Sequence, residues 1–249
     1  MKKAFAGAAF MALASTAMAS TSSPGWVEGP DDAGDLPGGA QLTIGEGMMG
    51  IIMGNLGMSM LTGEIDIVDM FLINIVDPRD FRVTTDPQDG ELGKGFAEFD
   101  TQLWLFKPVV GGPPEALGLL GNDDHFELGG QFSLLLPDPT DGFPKGLVEP
   151  GLYYIAITRS NHDPFSQNKA GKEVDIFFQE ELTEISGPDG PGGPFPITGW
   201  DGDPGGMFKG NYTMALRGVE FAIPAPGALS VFIIAAVGAR RRRRRSRLR

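Results

Sequence analysis

The sequence predicts an all-β protein, an antiparallel β-sandwich or jelly roll, with an N-terminal signal helix and a C-terminal hydrophobic sorting helix outside the domain. Three observations lead there. Glycine and proline number 37 and 20 in 249 residues, about double the usual share. Short apolar runs of strand length recur between turn residues. Helical periodicity is weak everywhere except at the two ends. The Gly and Pro load, with 41% hydrophobic residues, argues against a helical bundle or coiled coil, and the absence of cysteine excludes a disulfide scaffold, a cysteine nucleophile and a thiolate metal site.

Taken in order, Lys2 and Lys3 open the chain with positive charge, and an uncharged run follows from Ala4 to Ala14. Ala17-Met18-Ala19 then supplies the small residues a signal peptidase needs, so residues 1–19 read as a secretory signal cut after Ala19. Residues 20–40 are rich in Gly, Pro, Ser and Asp and read as a flexible acidic lead-in. The β domain is expected over 41–223. Its clearest strands are Met70 to Val76, Thr101 to Lys107 and Gly151 to Thr158. In the second of these, Leu103 and Leu105 face one way while Gln102, Trp104 and Phe106 face the other. Gln131 to Leu136, Val174 to Phe178 and Tyr212 to Phe221 complete the set. Residues 186–206 read as a long loop, because Pro191, Pro194 and Pro196 cannot donate ladder hydrogen bonds.

Charge is divided unevenly. The chain carries 20 Lys+Arg and 32 Asp+Glu, a formal charge of -12. All 32 acids but only ten of the bases fall within 20–223, which leaves that body near -22. Such a surface repels nucleic acid and anionic lipid and favours divalent cations. No nucleic-acid partner is expected.

The C-terminal end has its own layout. Pro224-Ala225-Pro226 precedes Gly227 to Ala239, thirteen residues without charge, and then Arg240, Arg241, Arg242 and three further arginines follow unbroken. Thirteen helical residues reach roughly 20 Å, short of a hydrocarbon core of about 30 Å. The run therefore suits a transient span better than a durable anchor, with the arginines cytoplasmic and everything upstream outside. This arrangement resembles the PEP-CTERM sorting signal, in the planctomycete-type variant with Pro-Ala-Pro in place of Pro-Glu-Pro. The resemblance covers 224–249. It implies an exosortase-type enzyme as partner, contact with the membrane through the short helix, and delivery to a bacterial cell surface.

Few constellations could carry chemistry. No Gly-x-Ser-x-Gly elbow occurs, and His125 and His162 each stand alone beside an aspartate. Two isolated histidines do not make a zinc site. Met48, Met49, Met53, Met58 and Met60 could be soft copper ligands, but beside Gly50, Gly54 and Gly57 they read as core packing. The informative acids punctuate the strands. Asp66 and Asp69 precede the Phe71 run, Asp100 precedes the Trp104 run, and Asn122, Asp123 and Asp124 follow Gly121. Loop aspartates with backbone carbonyls can supply the six to eight hard oxygens calcium takes. Asp and Asn are also good turn formers by themselves.

These residues carry a second resemblance. Asp32-Ala33-Gly34-Asp35, Gly63-Glu64-Ile65-Asp66-Ile67-Val68-Asp69, Phe99-Asp100-Thr101-Gln102-Leu103-Trp104, Gly121-Asn122-Asp123-Asp124 and Pro150-Gly151-Leu152-Tyr153-Tyr154 occur in that order. The succession, over about residues 31–160, is similar to the bacterial pre-peptidase C-terminal domain. It implies a non-catalytic accessory β-sandwich, and Asp123 and Asp124, with Asp66 and Asp69, as candidate calcium ligands. Departures are the absence of a protease domain and a long insert, Lys107 to Leu120, before the acidic pair. The expected function is association with a cell envelope or exopolysaccharide matrix, without catalysis. A calcium-dependent glycan- or protein-binding module is the alternative, and a hydrolase built on His125 or His162 a third.

Overall fold

The structure is a computed structural model and describes residues 24–58, 65–125, 130–202 and 209–225. The signal segment 1–19 lies outside these residues, as do Pro226 and the apolar run with Arg240, Arg241 and Arg242. Among the described residues, no helix is long and apolar enough to cross a membrane.

The fold is nearly all β, in mixed sheets. The first strands are β1 (Gly25–Val27), β2 (Gln41–Leu42), β3 (Ile44–Gly45), β4 (Ile51–Met58), β5 (Ile65–Asp66) and β6 (Val68–Ile75). Next come β7 (Arg82–Thr84), β8 (Phe96–Ala97), β9 (Thr101–Pro108), β10 (Ala116–Asn122), β11 (Leu134–Leu135) and β12 (Gly151–Arg159). The last are β13 (Pro164–Gln167), β14 (Glu173–Asp175), β15 (Ile197–Trp200), β16 (Lys209–Arg217), β17 (Val219–Phe221) and β18 (Ile223–Pro224). A seven-stranded sheet runs β1-β4-β16-β7-β11, with β5 on β4 and β8 on β16. A six-stranded sheet runs β10-β9-β12-β6-β17, with β2 on β6. Smaller sheets are β14-β13-β15 and β18-β3.

Strand alternation explains the packing. Successive side chains point to opposite faces, so Phe71, Ile73 and Ile75 of β6 enter the main apolar cluster while Val68 and Met70 enter a second one. The main cluster joins both large sheets: Ile52, Leu56, Met214 and Leu216 come from one, and Leu103, Leu105, Ile155 and Ile157 from the other. The second cluster joins Trp104, Phe106 and Ala156 to Ile176, Phe177 and Ile197. The six-stranded sheet is thus covered on both faces, which is why β6, β9 and β12 read as near-continuous apolar runs.

That second cover accounts for a strand inside the Pro-rich loop expected over 186–206. Ile197, 5% exposed, packs on the back of the sheet, and β15 pairs with β13 beyond Pro196. The lead-in is also tied down: β1 pairs with β4, and the Trp26 indole N–H donates to Gln41 Oε1 at 2.8 Å. Only Leu134–Leu135 of the run Gln131 to Leu136 is strand, since Ser133 is held by side-chain bonds to Thr85 and Thr101. Of Val174 to Phe178, only the first two residues lie in a strand. The run Tyr212 to Phe221 divides at Gly218 (φ 74°), where the chain leaves the seven-stranded sheet for the six-stranded one. A Cβ there would lie 2.7 Å from the Asp77 carbonyl oxygen, so glycine is required.

The expectation of wholly antiparallel pairing needs correction. β1 with β4, β2 with β6 and β18 with β3 are parallel. Each parallel pair adds a two- or three-residue strand from near one end of the described chain, arriving after a long excursion rather than a hairpin.

Ile155 sits in β12, bonded to β6 on one side and β9 on the other, and is fully buried. We predict that Ile155→Ala costs about 2–5 kcal/mol in urea unfolding. Val110→Ala, at a site 96% exposed, is expected to stay within about 0.5 kcal/mol of the parent. Equal effects from the two would contradict the assigned core.

Candidate functional site

Two clusters of carboxyls stand out, and both are products of strand register. Asp69 is the second residue of β6, so the pleat turns it to the same face as Phe71, towards the main apolar cluster. It is fully buried. Tyr212, also in that cluster, reaches across from β16, and its Oη donates to Asp69 Oδ2 at 2.6 Å. Asp69 Oδ1 has no partner. Glu28 follows β1 and Asp32 lies in the turn beyond; ligand oxygens of Glu28, Asp32 and Asp69 lie within 4.8 Å of one another. The Asn55 backbone N–H donates to Glu28 Oε2 at 3.1 Å and so aims that carboxylate. Gly54 keeps this corner open, since a Cβ would collide with Tyr212 and come within 2.8 Å of Glu28 Oε2.

The electrostatics follow from burial and crowding. Burial raises the Asp69 carboxyl to about 9, with Asp66 and Glu28 adding repulsion and the Tyr212 hydrogen bond opposing them. Asp66 rises to about 8 through burial, then the charges of Asp32 and Glu28. Glu28 and Asp35 are raised for the same reasons, and burial carries the Tyr212 hydroxyl well above its usual range. Without a counter-cation, Asp66 and Asp69 hold protons at neutral pH. A hard divalent ion would displace them and satisfy Asp69 Oδ1.

The second cluster lies at the open end of the β9–β10 pair. Its antiparallel register sets Leu103 opposite Asn122, which brings Asp100, just before β9, beside Asp123 and Asp124, just after β10. The insert between them closes as a turn, with the Val109 N–H donating to the Glu115 carbonyl at 2.9 Å. Oxygens of Asp100, Asp123 and Asp124 lie within 4.8 Å of one another, and Oδ1 of each is buried without a partner. Asn122 fixes the turn: its Nδ2 donates to the carbonyls of Asp124 (3.0 Å) and Glu184 (2.9 Å), and its Oδ1 accepts the Leu134 N–H at 2.7 Å. Burial, then the charges of Asp124 and Asp100, pushes Asp123 up to about 7. Burial also raises Asp100 and Asp124.

No family model, curated protein or solved structure matches this chain.

The four aspartates singled out by sequence therefore divide between two sites. Asp123 and Asp124 share one cluster; Asp69 belongs to the other, and Asp66 is coupled to it through charge. Asp66 itself accepts the Val68 N–H at 3.3 Å, as a turn-forming aspartate does. Glu28 and Asp32 are not legible as ligands in the sequence, because a parallel pairing of β1 with β4 brings them in. Asp100 is legible once the β9–β10 register is drawn. The Tyr212 contact has no sequence signal, as 143 residues separate it from Asp69.

His125 Nδ1 lies 3.5 Å from Asp86 Oδ2. His162 is buried, and its Nδ1 points to the carbonyls of Arg159 and Ser160 at 3.2 and 3.3 Å. Among the described residues, no serine or threonine hydroxyl bonds to either ring.

The raised carboxyls imply a stability profile. The folded protein holds protons on Asp66 and Asp69 that the unfolded chain, with ordinary values near 3.8, has released. In chelator, unfolding free energy is therefore predicted to fall as pH rises from about 5 to about 9. Calcium is expected to flatten that slope. Urea titrations across the pH series, with and without calcium, provide the check; chelated protein whose stability rises with pH would refute the assignment.

Proposed function

We propose that this chain is an exported surface-association module, a β-sandwich that holds calcium at Glu28, Asp32 and Asp69 and performs no catalysis. One observation carries the proposal: a carboxylate on the core face of β6, fully buried, with one oxygen unpartnered inside a cluster of acids. A buried polar oxygen without a partner is costly, and an all-oxygen donor set favours calcium over softer metals. The sandwich reading is supported by the single apolar cluster shared by the two large sheets.

Export rests on the ends of the sequence. Residues 1–19 have the form of a secretory signal, and 224–249 that of a sorting signal for an exosortase-type enzyme, with a short helix touching the membrane. A body near -22 suits a calcium-rich exterior, and cell envelope or exopolysaccharide is the surface it would join.

Calorimetry of the full chain with calcium chloride tests the calcium reading. Binding is expected with release of protons. Glu28→Gln and Asp69→Asn should each weaken this site roughly tenfold or more, since a contact to a charged group contributes about 1.5–3 kcal/mol. No heat and no melting shift at millimolar calcium would remove the reading. Mass spectrometry of the protein recovered from its native cells tests export. The expected N-terminus is Ser20 in the envelope fraction; a cytosolic product that retains Met1 to Ala19 would contradict it.

A further inference from the structure

Beside the Asp100 cluster lies a pocket of about 170 Å³ lined by Gln102, Asp123, Asn161, Asp163 and Gln179, with Trp104 and Phe177 among the apolar residues of its wall. Asp123 belongs to both the cluster and the pocket. It is 6% exposed and its Oδ1 is unpartnered. On the other side, Gln179 Nε2 is buried and equally unpartnered. Gln102 and Asp163 are already fixed. Gln102 Oε1 accepts from the His162 N–H at 3.0 Å and from Thr158 Oγ1 at 3.2 Å, while its Nε2 donates to Asp163 Oδ1 at 2.9 Å. The Asp163 N–H in turn donates to Asp201 Oδ1 at 2.8 Å.

We propose that Asp100, Asp123 and Asp124 hold a divalent cation whose open coordination positions face this pocket, and that the pocket binds one neutral sugar ring through that cation. The complementarity selects the class. Asp123 and Asp163 repel phosphates, sulfates and uronic acids. The free donor at Gln179 calls for an acceptor and the cation for neutral oxygens, and hydroxyls supply both. Calcium completes its oxygen shell readily with neutral hydroxyls because its geometry is flexible. The volume is well below the roughly 300–1,000 Å³ of drug-sized sites, so a single terminal residue fits and a chain of sugars does not. Phe177, tilted 42° on the fully buried Trp104 with centroids 5.2 Å apart, gives the wall an apolar edge for ring C–H groups.

This second site rests on the calcium-dependent reading above but uses different residues, so the two can fail separately. The test uses the full chain, calcium chloride, and methyl mannoside and methyl galactoside as probes, read by calorimetry and saturation-transfer NMR. Two calcium equivalents are expected, with glycoside saturation transfer only when calcium is present. Asp124→Asn, outside the pocket lining, should remove one equivalent and the glycoside signal together. Glu28→Gln should weaken the other equivalent and leave the glycoside signal intact. Gln179→Glu, which turns the free donor into an acceptor, should cut glycoside affinity about tenfold at unchanged calcium stoichiometry. It also serves as the control if Asp124→Asn fails to fold. Binding of one equivalent that Glu28→Gln weakens, with no second, overturns this proposal and spares the first. Two equivalents without any glycoside signal, or a signal that persists in chelator, overturns it as well.

Discussion

β12 is the strand on which the rest of the arrangement depends. It pairs with β6 along one side and β9 along the other, and its register is unbroken across both. Ile157 stands opposite Asp69 on one flank and Leu103 on the other, and the Ser160 N–H just beyond the strand donates to the Asp100 carbonyl at 2.9 Å. Both acid clusters therefore gather at the end of the sheet where β12 finishes and where β6 and β9 begin. A slip of one residue in either ladder would invert the faces of its strand. Asp69 would then leave the core side, and the tyrosine across the interior would lose its partner.

The interior of this protein is unusual less for its apolar packing than for what shares it. Tyr212 and Asp69 sit among side chains such as Ile52 and Phe71, and the aspartate keeps an unpaired oxygen there. Elsewhere a buried charge is answered within the chain. Arg82 is bidentate to Asp89, through Nε at 3.0 Å and Nη2 at 2.6 Å, and Asp89 stays below the usual carboxylate range because of it. The contrast is between Asp89, whose two oxygens are both met, and Asp69, which has one met by Tyr212 and one left over. Buried polar groups left unmet are uncommon in native folds, and here Asp69, Asp100, Asp123 and Asp124 each keep one at the two clusters.

Much of the scaffold was legible in the chain because its central strands are buried on two sides. The runs at Met70, Thr101 and Gly151 stand out as apolar stretches long enough to span a sheet, and each became a strand. What was not legible depends on distance. Nothing local tells Trp26 that it will lie beside Ile52, or Gln41 that it will run parallel with Phe71. Nor does a proline-rich stretch reveal that Ile197 will be needed to cover the back of another sheet. For the sites, position at a strand end made Asp123, Asp124 and Asp69 visible, although Asp69 lies within its strand as the second residue rather than ahead of it. Glu28 stayed hidden because its contribution comes from a contact made across forty residues.

The last described strand has a mechanical consequence. Pro224 lies against Gly45, and the Ala225 N–H donates to the Gly45 carbonyl at 3.0 Å. A single proline separates that clasp from the apolar run that begins at Gly227. Force applied to the chain at Ala225 therefore passes into the strap between Thr43 and Gly45, where the Ile223 N–H also donates to the Thr43 carbonyl at 3.0 Å.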